Sequence, residues 1–423
     1  MSVETSPFTY ESDELSAGGV PLAEIARSVP TPFYVYDSKA AVERFRALAR
    51  AFASISHLHC VALKANSQPR LLTPLFHEGA GAEVVSGAEL ALALALGVPG
   101  SRIVFSGVAK TDRELAAGIA AGVLLFLVES EAELRALSSL AREARAEARV
   151  ALRLNPDIDA RTHPHIATGI ATAKFGIDPE EARELYLRRQ DFPGLEFAGI
   201  HSHIGSQITE LEPLSENARA LASLVRGLRT SGVDIRYVDV GGGLGIPYRG
   251  EETPALEEYA RGVAEPFRGL PVTLLTEPGR VLFGPIGALV ARVLYVKRVH
   301  GREFVILDAG LNDLLRPALY GAYHRIVPLS RRQRELRKFD VGGAVCESSD
   351  VFGRERELPV PERGEHLAIL DAGAYGFAMS SNYNLRPRPA EVIVENGTFR
   401  VVRKTESVDA LVARELGTER ESL

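Results

Sequence analysis

Four short segments hold the residues best suited to chemistry. LHCVALKANSQP (58–69) is an apolar run that ends on Lys64 and passes into a polar, turn-forming stretch. A lysine there is either a surface side chain resting its stem on protein or an amine kept at a pocket mouth as a nucleophile. On this segment alone the surface reading is the commoner one, because exposed lysines abound. DVGGGLG (239–245) sets three glycines directly after an apolar run. Backbones without Cβ atoms can turn adjacent N–H groups toward one anion, as a phosphate nest does; a bare glycine turn explains the same letters. The spacing fits neither a dinucleotide fingerprint nor a P-loop. TEPGR (276–280) adds a carboxylate, Glu277, and a guanidinium, Arg280. HSHIGS (201–206) places His201 and His203 two apart, on one face if the strand runs that far. No carboxylate or cysteine accompanies that pair at ligand spacing, so no metal is expected. A ring stacked on a ligand fits, and for His201 a structural role fits best.

The chain between about 58 and 280 supplies the elements that position these groups. Short β-branched runs occur at LHCVALK (58–64), AEVVS (82–86), RIVFSG (102–107) and LLFLVES (124–130). They continue at RVALRLNP (149–156), FAGIHSHIG (197–205), IRYVDVGGG (235–243) and VTLLTEPGR (272–280). Helical spacing fills the gaps, as in GAELALALALG, SEAELRALSSLAREARAEA and LSENARALASLVRGLRTSG. Eight strands alternating with helices fit the eightfold β/α barrel, with a doubly wound open sheet as competitor. The unusual residues decide for the barrel. Lys64, Ser86, Ser106, Glu129, Asn155, His201, His203, Gly241, Glu277 and Arg280 all fall at or just after carboxyl ends of strands. In a barrel those ends form one rim, where a site is built.

After about 283 the pattern changes to alternating apolar and polar residues bounded by Gly, Asn and Asp: VARVLYVKRV, REFVILDAG, EHLAILDAG, AEVIVEN and TFRVVRKTE. This predicts a second, mainly antiparallel β domain. TPFYVYD (31–37) is a further β-rich run ahead of the helix VERFRALARAFASI. The expected division is 1–37 as an amino-terminal part of the β domain, 38–283 as barrel and 284–423 as the carboxy-terminal β domain.

Composition narrows the function class. The 423 residues exceed what one core usually holds, and 46% hydrophobic with 25% charged residues is ordinary for a globular protein. Net charge is −6 with scattered basic residues, so nucleic acid is not an expected partner. The densest basic run, RRQRELRK (331–338), reads as a solvated loop or helix face. Cys60 and Cys346 are the only cysteines, far apart, which suits a reducing cytoplasm better than a disulfide framework. Cys60, in the first strand, reads as a small buried hydrophobe. The start MSVETSPFTYESDE has no secretory pattern, and no apolar segment reaches the roughly 20 residues of a membrane helix.

A reactive lysine, a phosphate nest, a carboxylate and an imidazole on one rim suit pyridoxal 5′-phosphate. Its aldehyde needs an amine, its phosphate needs clustered N–H donors, and its ring nitrogen needs a charged partner. Taken with VALKAN, EVVSGAEL, RIVFSGVAK, NPDIDARTHPHIATG, KFGI, HSHIGSQ, DVGGGLG, TEPGR, DAGLNDLLRPALYGAYH, VCESSD and DAGAYGFAMSSNYN, the chain resembles the barrel-fold pyridoxal-phosphate decarboxylases of basic amino acids. Within them it is most similar to the bacterial diaminopimelate decarboxylases, and the likeness runs from TPFYVYD to MSSNYNLRPRP.

The resemblance implies decarboxylation of meso-diaminopimelate to L-lysine and carbon dioxide. It implies an imine between Lys64 and the cofactor, and His203 stacked on the ring. Ser206, Gly243 and the backbone of Glu277, Pro278, Gly279 and Arg280 would hold the phosphate, with the Glu277 side chain at the ring nitrogen. Arg280, Arg316 and Tyr320 would contact substrate, and Tyr375 both cofactor and substrate. Cys346 would return a proton, with Glu347 reading the distal ammonium, both reaching into the partner's barrel in a head-to-tail homodimer. Glutamate at 277 favours a protonated ring nitrogen, where a racemase would have arginine. Two arginines suit a substrate with a far carboxylate, which ornithine lacks. A relative acting on ornithine, lysine or carboxynorspermidine is the alternative, and a non-catalytic cofactor-binding barrel the one outside enzymes. Two departures stand out. Glu83 replaces the usual aspartate, which puts its contact near the cofactor in question. GGAVCESSD replaces the usual Gly-Pro and carries Ser349 for Gly, which is expected to soften that loop.

Overall fold

A computed structural model of the chain describes residues 6–163, 168–170 and 173–418. Part of NPDIDARTHPHIATG, residues 164–167, lies outside the described residues, as do the first five residues of the amino-terminal segment. Two compact units emerge, one of residues 44–247 and 251–281, the other of 1–43, 248–250 and 282–423.

The chain begins with three short strands, β1 (Phe8–Glu11), β2 (Glu14–Ala17) and β3 (Val20–Pro21), and then β4 (Phe33–Asp37). Eight strands follow in the larger unit: β5 (His57–Ala62), β6 (Gly81–Val84), β7 (Ile103–Phe105), β8 (Leu125–Val128), β9 (Ala148–Leu154), β10 (Leu195–Ser202), β11 (Tyr237–Asp239) and β12 (Thr273–Thr276). They pair in parallel and close, β12 returning to β5. The barrel expected from the count of eight is the one formed.

Alternation sorts the barrel's side chains. Cys60, Val104, Leu125, Leu127, Ala151 and Leu275 pack as one buried cluster. Phe105 and Phe126 stack with ring centroids 6.1 Å apart and meet the helix Asp112–Ala121, where a Cβ on Gly118 would lie 2.6 Å from the Phe126 ring. That glycine sets how closely the helix approaches the sheet. Cys60 is fully buried, and burial pushes its thiol well up, as befits a small hydrophobe.

His59 is buried in a box formed by Phe45, Phe52 and the Thr276 hydroxyl, which its Nδ1 meets at 2.7 Å. Burial, then the neighbouring His57, lowers it to about 3. The unfolded chain takes up the His59 proton below about 6.5, so the stabilisation is complete above that pH and lost as pH falls from 6.5 toward 3. The full difference is about 5 kcal/mol at 1.36 kcal/mol per unit. His59→Leu is expected to flatten the acid limb of stability between pH 6 and 4 in urea melts; an unchanged slope refutes the assignment.

The smaller unit adds β13 (Gly287–Val299), β14 (Arg302–Leu307), β15 (Ile326–Pro328), β16 (Leu336–Gly342), β17 (Val351–Pro359), β18 (His366–Ile369), β19 (Ala390–Glu395) and β20 (Thr398–Arg403). The main sheet runs β17-β16-β14-β13-β4-β19-β20, with β18 on β13 and β15 on β18. Most pairs are antiparallel, but β4–β19 and β14–β16 are parallel. Every residue of β4 is buried, with the Tyr36 hydroxyl donating to Glu391 Oε1 at 2.9 Å.

Three expectations move. RRQRELRK is loop only to Glu335; its last residues open β16, where Arg337 pairs with Glu303 at 2.7 Å. The helix read from SEAELRALSSLAREARAEA stops at Glu143, because Arg145 takes a left-handed conformation (φ 51°) before β9. The strands also end earlier than their apolar runs, so most rim residues lie in turns. Among the described residues no helix is long and apolar enough to cross a membrane.

Candidate active site

β5 ends at Ala62, and Lys64 sits in the turn that follows, closed by the Ala65 N–H on the Ala62 carbonyl at 3.1 Å. The apolar run therefore does not finish on a buried lysine. Its side chain keeps 36% exposure while its Nζ lies 2.8 Å from Glu83 Oε1, and the Glu83 side chain is wholly buried at the end of β6. The carboxylate that replaces aspartate thus makes a direct ion pair with the candidate nucleophile.

A bulge in β10 places the next group. Phe197 pairs with Val150 and Gly199 with Ala151, so Ala198 is extra and every later residue shifts face. This brings His201 level with Arg153 on β9 and with Asp239 on β11. His201 Nε2 is 3.6 Å from Glu277 Oε1, and Ser106 Oγ donates to the same oxygen at 3.3 Å. His201, Asp239 and Glu277 each offer a ligand atom, all within 4.8 Å of one another. The spacing of the two histidines gave no carboxylate, but other strands bring two, making a donor set that a cation could use. Burial, then Asp239 and Glu83, pushes Glu277 well above the carboxylate range, and Asp239 rises to about 7, chiefly by burial.

The strand ends at Ser202, so His203 is not on the same strand face as His201; it starts the loop. Its Nδ1 accepts the Gly242 N–H at 3.1 Å. Burial, then Lys64 and Arg153, holds it well below its usual range. An imidazole accepting at Nδ1 carries its proton on Nε2 and is neutral.

The three-glycine turn is narrower as a nest than the letters allow. The Gly241 N–H goes to Asp239 Oδ1 at 2.9 Å and that of Gly242 to His203, which leaves Gly243 of the three for an anion. The turn is pinned by the Glu277 N–H on the Gly241 carbonyl (2.9 Å) and the Ile208 N–H on that of Gly243 (2.8 Å). Arg280 opens the short helix Arg280–Phe283, and its Nη2 donates to Ser206 Oγ at 3.0 Å. The Pro278 carbonyl takes the Ala62 N–H at 3.2 Å, tying TEPGR to the lysine turn. Lys64, His203, Ser206, Gly243, Glu277 and Arg280 thus belong to one bonded rim.

Other rim residues do structural work. Ser86 caps the helix Gly87–Ala95. Asn155 Nδ2 donates to the carbonyls of Ile170 and Phe175. Glu129 takes Arg153 at 2.7 Å and the Gly176 N–H at 2.9 Å. Lys110 is buried and fully bonded, to Glu133 and the Gly107 and Leu127 carbonyls. Sequence reasoning missed Arg153 and Asp239. A charged residue inside the apolar run RVALRLNP, and an aspartate just before the glycines, were the available signals.

The remaining candidates lie in the smaller unit. Arg316, buried at the start of the helix Arg316–Tyr320, donates from Nη1 to His324 Nε2 at 2.7 Å and lies over the Tyr248 ring at 4.8 Å. Tyr320 ends that helix, half-buried. Tyr375 is half-buried with φ 56°, a left-handed conformation that is uncommon for a bulky residue. Cys346 and Glu347 are exposed. Their loop carries several hydrogen bonds. Asp350 takes the Val345 N–H at 2.6 Å and that of Leu311 at 2.7 Å, Asn384 takes the Cys346 N–H at 3.1 Å, and Tyr383 donates to Glu347.

Residues 39–284 match the family described as pyridoxal-dependent decarboxylase, pyridoxal binding domain. The diaminopimelate decarboxylase of Aquifex aeolicus is 44% identical, with 97% of each chain covered, and that of Pseudomonas aeruginosa is 44% identical over 96% of this chain and 98% of its own. The crystal structure of the Helicobacter pylori diaminopimelate decarboxylase complexed with L-lysine superposes with a TM-score of 0.91 at 41% identity, covering 94% of this chain and 100% of that one. Barrel, bonded rim and near-full-length likeness agree: this chain belongs to the pyridoxal-dependent decarboxylases, in the diaminopimelate decarboxylase family.

Proposed function

We infer that the protein uses pyridoxal 5′-phosphate to remove one carboxylate of meso-2,6-diaminopimelate, giving L-lysine and carbon dioxide. The observation that carries this reading is Glu277, pushed up first by burial and then by the neighbouring Asp239 and Glu83, on the same rim as Lys64. A carboxylate so placed is stabilised by a cation, and a protonated ring nitrogen is one. The glycine turn, which leaves Gly243 beside Ser206 and TEPGR, fits the phosphate end. The bound cofactor supplies the electron sink for the pair left behind when carbon dioxide departs.

The chain's own residues do the rest. Lys64 Nζ would hold the cofactor through its aldehyde, with loss of water, and Glu83 Oε1, 2.8 Å away, could accept the ammonium proton that must leave first. Glu277 would hold the proton of the ring nitrogen, and the neutral His203 would stack on the ring. Ser206, Gly243, Pro278, Gly279 and the Arg280 backbone bind phosphate. Arg280 and Arg316 recognise substrate carboxylate, Tyr320 and Tyr375 frame it, and Glu347 meets the distal ammonium. Cys346 returns a proton to the carbon that lost the carboxylate. Cys346 and Glu347 serve the partner's barrel in a homodimer, working in a reducing cytoplasm that keeps both cysteines free.

Adding meso-diaminopimelate to the purified holoenzyme should change its absorbance and yield L-lysine with carbon dioxide. A faster rate with lysine, ornithine or carboxynorspermidine decides for a different substrate. Cys346→Ala should lower turnover by about 10²-fold while leaving the cofactor's dissociation constant within twofold; equal loss of both removes Cys346 from the acid role. Mixing inactive Lys64→Ala and Cys346→Ala proteins should restore up to about one-quarter of wild-type activity if the site is shared. No recovery after subunit exchange refutes sharing.

A further inference from the structure

His201 has no evident structural employment. It is buried, and neither ring nitrogen has a hydrogen-bond partner among the described residues; Asp239 Oδ2 is also without one. Such groups are costly to bury and call for a reason. Parallel register sets Arg153, His201 and Asp239 in one row across three strands. Glu277 approaches the row from the end of β12, with its Oε1 3.6 Å from His201 Nε2. Arg153, His203, Lys64 and Lys110 face the ring with positive or neutral groups, while Asp239 and Glu83 face Glu277 with negative ones. Burial and Arg153 keep the ring uncharged, leaving it one N–H and one lone pair. It can therefore donate to a single carboxylate.

We propose that His201 is a positioning residue for Glu277: it donates from Nε2 to Oε1 and so aims the carboxylate at the cofactor's ring nitrogen. Ser106 already donates to Oε1, so the two donors hold that oxygen and leave Oε2 to meet the ring. The gap of a few tenths of an ångström to hydrogen-bond range closes with a small rotation, as poised contacts tighten when a site fills. Asp239 fixes the same arrangement from the other side by holding the Gly241 N–H. The proposal rests on the reading of Glu277 given above.

The test compares holoenzymes of wild type, His201→Phe, His201→Gln and Glu277→Gln by absorbance. His201→Phe should raise the cofactor's dissociation constant about tenfold and move the pH midpoint of its band about one unit toward acid, since a less well held carboxylate stabilises the ring proton less. Its kcat should fall with KM unchanged. His201→Gln, which keeps an N–H donor, should recover most of each change. Equal damage in both His201 variants, or a band that stays put in both, overturns the proposal. In unsubstituted holoenzyme the ¹⁵N shift of His201 should report a proton on Nε2; a proton on Nδ1 overturns it without any variant. One equivalent of tightly bound metal in active holoenzyme overturns it too. If Glu277→Gln leaves the midpoint unmoved, the reading of Glu277 fails as well; if only the His201 variants leave it unmoved, His201 alone is misassigned.

Discussion

Lys64→Ala leaves a protein with no borohydride-trappable cofactor linkage, no holoenzyme absorbance band and turnover lowered by at least about 10³-fold. The size follows from what is lost. An alanine cannot take the aldehyde, and binding then rests on phosphate and ring contacts alone. The same change strips Glu83 of its cation. That side chain is fully buried and its Oε2 has no hydrogen-bond partner among the described residues, so an ionised carboxylate would stand unpaired. Breaking a buried pair costs about 3–5 kcal/mol; with Lys64 36% exposed, the cost here is expected at the low end or below. Lys64→Ala with Glu83→Gln should recover that stability and none of the linkage. Peptide mapping after borohydride should place the tag on Lys64 in wild type. A tag on another amine, or normal turnover in the alanine protein, removes Lys64 from the chemistry.

The two effects at Lys64 show what the sequence does and does not disclose. Its position after an apolar run was legible, because strand ends in alternating β/α chains fall on one rim. Its partner was not. Glu83 lies 19 residues away, at the end of the next strand, and only parallel pairing of β5 with β6 makes them neighbours. Arg153, His201 and Asp239 form their row for a similar reason, with the further condition of a one-residue bulge that alternation alone does not reveal. The β domain was legible as strands but not as a sheet. The parallel joining of β4 to β19, more than 350 residues apart, depends on long-range packing rather than local pattern. The bonding of the Cys346 loop was hidden for a different reason. The missing Gly-Pro and Ser349 are local letters, whereas Asp350 takes the N–H groups of Val345 and of the distant Leu311 and leaves no room for a Cβ on Gly343.

Gly243→Ala is expected to destabilise the barrel by about 2–4 kcal/mol and to weaken cofactor binding more than tenfold. Two costs combine. Gly243 has φ 108°, a conformation that a residue with a Cβ adopts only under strain of about 1–3 kcal/mol. Its added Cβ would also stand 2.6 Å from the Gly205 carbonyl oxygen and 3.1 Å from Ile208 Cδ1. The ethyl arm of Ile208 can turn aside, but the carbonyl belongs to the HSHIGS loop. That loop is fixed on both sides, by Thr168 on the His203 carbonyl at 2.7 Å and by Arg280 on Ser206 at 3.0 Å. Relief must therefore move backbone, and the backbone that moves carries His203 and Ser206. Gly232→Ala separates the two costs: its φ is 76° and nothing lies within 4 Å of its added Cβ, so it should show conformational strain with cofactor binding intact. Thermal melts of apoenzyme and cofactor titrations of both proteins read the comparison. Equal losses in both would mean that backbone strain alone is felt and that Gly243 is a turn residue, with no part in holding phosphate.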